Sequence, residues 1–215
     1  MYDLHTHTTF SDGELIPSEL VRRAYVKGYK GVALTDHADF TNFEIIIKNC
    51  LKIKEELVNQ WNIKVLCGIE ITHVPPEKID ILAKMSKQIG ADIVVVHGET
   101  IVEPVAEKTN YYALISEYVD ILAHPGIIRE EDVKIAVKNN KYLEITTRKG
   151  HSLTNGHVLK LAKKYNAKFL INNDAHAPQD LVSMEIAEKI IIGAGGERED
   201  FQIAIKNAEE FFKKG

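Results

Sequence analysis

Short apolar runs alternate with longer amphipathic segments along this chain. Runs rich in Val, Ile, Leu and Tyr fall at Tyr2–His5, Gly31–Thr35, Lys64–Glu70, Asp92–Val96, Val119–Ala123, Tyr142–Ile145 and Lys168–Ile171. Several are almost continuously apolar, the pattern of strands covered on both faces. Between them the spacing becomes helical. Pro17 and Ser18 open a segment with Leu20, Val21 and Ala24 on one side, and Gly28 closes it. Residues 43–60 carry Ile and Leu along one face, and 75–89 start at two prolines and end at Gly90. Thr154 stands as a cap before Val158, Leu161, Ala162 and Tyr165. A last helix carries Phe201, Ile205, Ala208 and Phe212. Strand–helix units repeated in this way predict a parallel sheet, open or closed, and one domain over residues 1–215.

The polar residues that end the strands favour closure. Strand one runs into Asp3-Leu4-His5-Thr6-His7, strand two into Thr35-Asp36-His37, and strand three into Gly68-Ile69-Glu70. Strand four ends at His97, strand five at His124-Pro125, and strand seven at Asn173-Asp174-Ala175-His176. In a closed α/β barrel the carboxyl ends converge on one rim, where the active sites of such barrels lie. In an open sheet these residues would be strung along a row. His-x-His on an extended strand turns both imidazoles to one side. Single histidines are ordinarily structural, but independent ones have no reason to recur at the same end of successive strands. Nitrogen and carboxylate donors suit Zn, Mn or Fe better than an all-oxygen Mg or Ca cage. The donors exceed what one four-coordinate ion needs, which predicts two or three divalent ions with Glu70 bridging.

Composition narrows the alternatives. Of 215 residues, 45% are hydrophobic and 27% charged, enough for a sizeable core and inconsistent with a disordered chain. The balance of 27 basic and 31 acidic residues, net −4, gives no general pull on polyanions, so strong nucleic-acid binding is not expected. No apolar run approaches the roughly 20 residues that span a bilayer, and no leader pattern follows Met1. Two cysteines, Cys50 and Cys67, without CxxC spacing predict no disulfide framework and fit a reducing cytoplasm, with Cys67 as a core residue.

The ordered set Asp3-Leu4-His5-Thr6-His7, Ser11-Asp12-Gly13, Thr35-Asp36-His37, Gly68-Ile69-Glu70, His97, His124-Pro125 and Asn173-Asp174-Ala175-His176 resembles the PHP (polymerase and histidinol phosphatase) family. The resemblance runs from Asp3 to His176. It implies a distorted seven-stranded (β/α)7 TIM-like barrel with a trinuclear metal site at the carboxyl rim. It assigns His5, His7, Glu70 and Asp174 to a first metal, and Glu70, His97 and His124 to a second. A third takes His37, His176 and Asp12, a position where some members carry histidine. The implied activity is hydrolysis of a small phosphomonoester through a metal-bridged hydroxide. Histidinol phosphate is the leading substrate, and a nucleotide or oligonucleotide end is the alternative.

Beyond the ligands, Glu70, Asp174 and Arg148 are the candidate catalytic groups. Strand six is read as bringing no ligand to the rim, but Thr146-Thr147-Arg148 follows it, and a guanidinium forks well onto phosphate. Lys149, by alternation, faces away. His73 and Asp39 are candidate substrate contacts, although a loop role explains each equally well. His151 and His157 read as surface residues, and Asp36 as an acceptor orienting His37. Two rivals remain. An amidohydrolase barrel would have eight strands and often a bridging lysine. A non-catalytic nucleic-acid subunit would show eroded ligands and a basic surface.

Overall fold

A computed structural model describes residues 1–58 and 60–213. Residue 59, within the segment expected to be helical over 43–60, and residues 214–215, at the end of the expected domain, lie outside the described residues. Seven parallel strands, β1 (Tyr2–Asp3), β2 (Gly31–Leu34), β4 (Lys64–Ile71), β5 (Ile93–His97), β6 (Ile121–Ala123), β7 (Tyr142–Thr146) and β8 (Lys168–Asn172), lie side by side in chain order. The two-residue β3 (His37–Ala38) extends the line of β2. Leu34 pairs with Cys67 and His37 with Glu70, one unbroken register.

The sheet nearly closes on itself. Between β1 and β8 the seam consists of a Thr6–Ala175 bridge, a His7 N–H donated to the Ala175 carbonyl at 2.8 Å, and a Leu4 N–H donated to Asn172 Oδ1 at 3.0 Å. Helices α1 (Pro17–Val26), α2 (Phe43–Val58), α3 (Ile79–Gln88), α4 (Thr109–Ile115), α5 (Glu130–Lys138), α6 (Asn155–Tyr165), α7 (Met184–Gly193) and α8 (Arg198–Phe211) alternate with the strands or follow them. None of the described helices is long and apolar enough to cross a membrane.

Period-two alternation sorts the strands into two cores. Leu66, Ile93, Val95, Ile121, Tyr142 and Leu170 point into the barrel, which Ala208 and Phe212 close at its amino end. Cys67, Ile69, Val94, Val96, Leu143 and Ile145 face the helices. Followed towards the carboxyl end, the inward positions turn polar, with Glu70, His97, Glu144 and Asn172 all buried. The barrel is therefore an apolar plug beneath a polar rim.

Three sequence expectations change. The helix expected from Thr154 starts at Asn155, and Thr154 makes no side-chain cap because it ends a 3-10 turn over His151–Thr154. Strand six does bring a charged group inward, namely Glu144. Cys50 and Cys67 form a disulfide, because α2 packs on β4 and sets their Cα atoms 5.6 Å apart across a sequence separation of 17. Closing a loop of that length stabilises a fold by about 3 kcal/mol. At about 2–4 °C per kcal/mol for a chain of this size, C50A/C67A is expected to melt about 6–12 °C lower than the oxidised protein. A thermal melt of both proteins under non-reducing conditions checks it.

Candidate metal centre

His5 and His7 leave the end of β1 on the same side, as an extended His-x-His requires. Both rings are fully buried. His5 Nδ1 donates to Glu144 Oε2 at 2.8 Å, and Glu144 also accepts from Asn172 Nδ2 at 2.9 Å. This partner settles which nitrogen of His5 is left free. His5 Nε2 faces Glu70 Oε1 at 3.2 Å and Asp174 Oδ1 at 3.7 Å. His7 Nε2 faces Asp174 Oδ1 at 3.1 Å and Glu70 Oε2 at 3.6 Å. His124 Nε2 lies 3.6 Å from both Glu70 Oε1 and Asp174 Oδ2.

Two further groups flank this centre. His37 approaches Glu70 Oε2 with Nδ1 at 2.7 Å and Asp12 Oδ1 with Nε2 at 3.6 Å, and His176 Nε2 approaches the same Asp12 oxygen at 3.3 Å. On the other side His97 Nε2 meets Glu103 Oε2 at 3.1 Å, and the rings of His97 and His124 lie 4.5 Å apart. Donor atoms of His7, Asp12, His37 and His176 lie within 4.8 Å of one another, as do those of His5, His7 and Asp174, and those of His97, His124 and His151. His124 and Asp174 hold φ of 24° and 51°. Left-handed backbone is uncommon outside glycine, and such residues cluster at functional sites.

The residues fit divalent ions. Nine buried nitrogen and oxygen atoms among the described residues make no hydrogen bond of sound geometry, among them both oxygens of Glu70 and both ring nitrogens of His7 and His124. Buried polar atoms are ordinarily satisfied, so a cluster of orphans facing one another calls for a shared partner. The electrostatics agree. Burial alone would raise Glu70 and Asp174, yet the surrounding imidazoles, His5 foremost, hold both well below the carboxylate range. Burial holds His7 down at about 3 and His151 at about 4, so both are neutral near pH 7 and keep a lone pair. Burial also opposes charge on His5 and His37, but Glu144 and Glu70 outweigh it. His5 is raised well above its ordinary value, and His37 to about 8. A cation would displace those protons.

Other residues sort as follows. Arg148 reaches the cavity above the cluster with its guanidinium 3.0 Å from Asp180 Oδ2, and Lys149 is exposed. That cavity, about 270 Å³, is also lined by His73, His97, His151 and Asp174. Asp39 lies outside its lining, and its carboxylate accepts from the Thr41 backbone and hydroxyl. Asp36 does not orient His37. It accepts from the Thr8 N–H and hydroxyl and from Ser11, closing the turn that presents Asp12. His157 is half-buried and donates to the Ile128 carbonyl.

His151 is not a surface residue. It is buried, and its ring stacks on that of His124 at 4.2 Å. Sequence reasoning also passed over Glu144 and Glu103. Glu144 carries a usable signal, an acid in phase with the interior of an apolar strand. Glu103 sits in the loop after β5 and carries none.

The PHP domain model matches residues 3–171. An uncharacterized protein of Methanocaldococcus jannaschii is 55% identical over 195 residues, 90% of this chain and 89% of that protein. A chain in the cryo-EM structure of archaeal ribonuclease P with mature tRNA superposes with a TM-score of 0.73 at 15% identity, covering 97% of this chain and 89% of that one. Histidinol phosphate phosphatase of Lactococcus lactis, solved with zinc, L-histidinol and phosphate, superposes with a TM-score of 0.65 at 19% identity, covering 91% and 94%.

Proposed function

The chain belongs to the PHP domain family, and on that premise we propose that it is a metal-dependent phosphoesterase acting on a small phosphomonoester, with histidinol phosphate the first substrate to test. The observation that carries this reading is the knot of orphaned donors around Glu70 beneath a small polar cavity. His5, His7, Glu70 and Asp174 would hold one ion, Glu70, His97 and His124 a second, and His37, His176 and Asp12 a third. Such ions supply positive charge against phosphoryl oxygens and acidify water.

The chain's own residues supply the rest. Asp174 lines the cavity, beside Asp12 and Glu103, and Glu70 does not, so of the two candidate catalytic carboxylates Asp174 is the one that faces the attacking water. Glu70, beneath it, holds the imidazoles together. Arg148, braced by Asp180, faces the cavity and binds a phosphoryl oxygen. A cavity of about 270 Å³ suits a small phosphorylated group.

Truncating Arg148 to Ala removes a charge-assisted hydrogen bond worth about 1.5–3 kcal/mol. KM is expected to rise about 10–100-fold, with a smaller change in kcat. Steady-state kinetics on the preferred substrate check it. The reading itself is tested by a panel of histidinol phosphate, nucleoside monophosphates, short oligonucleotides and N-acyl amino acids, assayed with Zn, Mn or Fe. Metal-dependent phosphate release from a small monoester supports it. Turnover confined to the amides, or activity that survives complete chelation, overturns it.

A further inference from the structure

We infer that His151 and Glu103 are ligands of the ion held by Glu70, His97 and His124, completing a site of three imidazoles and two carboxylates. This rests on the metal-dependent reading above and adds two residues that its ligand set omits.

Four observations carry the inference. First, one ring nitrogen from each of His97, His124 and His151 lies within 4.8 Å of the other two, and all three side chains are buried. Second, the Glu103 carboxylate spans the group, with Oε2 at 3.1 Å from His97 Nε2 and Oε1 at 3.4 Å from His151 Nε2. Third, His151 is oriented from behind. Its Nδ1 pairs with the Thr100 hydroxyl at 2.7 Å, which leaves Nε2 turned towards Glu103 and Asp174. A hydrogen-bond partner on the far nitrogen is the usual mark of a ligating histidine.

Fourth, the loop that carries Thr100 and Glu103 is built rigidly at its base. Asn110 accepts from the Glu99 N–H, donates to the Pro125 carbonyl at 2.9 Å, and donates its own backbone N–H to the Glu99 carboxylate. A side chain at Gly98 would strike the Ala123 carbonyl, and one at Gly126 would strike the Glu99 carbonyl. The turn after His124 and the loop after His97 therefore interlock, with Thr100 and Glu103 directly downstream.

With Glu70, the ion would have three nitrogens and two carboxylate oxygens, a five-donor set that a zinc-like ion accepts. Glu103 is the one member with substantial exposure, its side chain 39% accessible. It is also the ligand that an incoming phosphoryl oxygen would replace.

The test uses the full chain, stripped with chelator and titrated with Co²⁺, whose visible absorption reports each ion as it binds. Wild type is compared with E103A, a loop substitution that leaves the core intact, and with H151Q, which keeps a polar side chain of similar length there. Elemental analysis after gel filtration gives the bound stoichiometry. Each variant is expected to weaken one ion by at least about 100-fold, the upper end of what even outer partners of a ligand cost, with the remaining ions unchanged. Both variants binding the same number of ions with wild-type affinity and spectrum overturns the inference and leaves the phosphoesterase reading standing. Wild type that binds no cobalt, zinc, manganese or iron overturns both.

Discussion

Glu70→Gln is expected to lower turnover by at least about a thousandfold, the upper range for losing one preorganised electrostatic group. The two Glu70 oxygens are approached by His5 at 3.2 Å, His7 at 3.6 Å, His37 at 2.7 Å and His124 at 3.6 Å. An amide of the same shape keeps one oxygen and replaces the other by an NH₂, which cannot ligate an ion. It also removes the negative charge that two ions would share. The loss is expected in kcat, because Glu70 does not line the cavity where substrate binds. Elemental analysis is expected to show at least one ion fewer per chain. A variant that keeps both its metals and wild-type kcat would remove Glu70 from the centre of the mechanism.

The parts of this site that the sequence made legible share one physical feature. His37, Glu70, His97 and His124 each interrupt an apolar run at its carboxyl end, and parallel barrel geometry brings such ends to one rim. The parts it did not show depend on contacts between distant segments. His151 follows a strand by several residues, and its burial arises only because the loop after β7 folds back onto His124. Asp36 sits beside His37 in the chain, yet in the fold its carboxylate turns towards Thr8 and Ser11. Cys50 and Cys67 carry no motif spacing, and their pairing follows from α2 lying across β4. Glu144 is the intermediate case. Leu143 and Ile145 face the helices, so alternation alone places Glu144 inside, beside His5.

The same geometry separates the rival chemistries. A dinuclear amidohydrolase of the carbamylated kind needs a lysine at a strand end, and no lysine lines this cavity. The corresponding third-strand position carries Glu70. A non-catalytic barrel would have no reason to keep nine buried donor atoms unsatisfied, since apolar substitution at such positions is stabilising or neutral.

Removing the metals is expected to lower the melting temperature by about 8–16 °C. An ion bound at a thousandfold excess over its Kd stabilises the native state by about 4.1 kcal/mol. For a chain of this length each kcal/mol shifts the midpoint by about 2–4 °C. A second strongly held ion would enlarge the effect. The cost appears in the stripped protein because Glu70 and Asp174 are then buried carboxylates among imidazoles of mixed protonation, and the neutral His7 presents a lone pair to nothing. Calorimetry with EDTA, followed by re-addition of Zn or Mn, measures it. The shift should reverse on re-addition, and it should be smaller in a variant combining His5→Ala and His7→Ala, which lacks two donors of the first ion. A midpoint that ignores chelation would mean that the orphaned donors are satisfied by water, and that the rim of this barrel is a polar cavity with no resident cation.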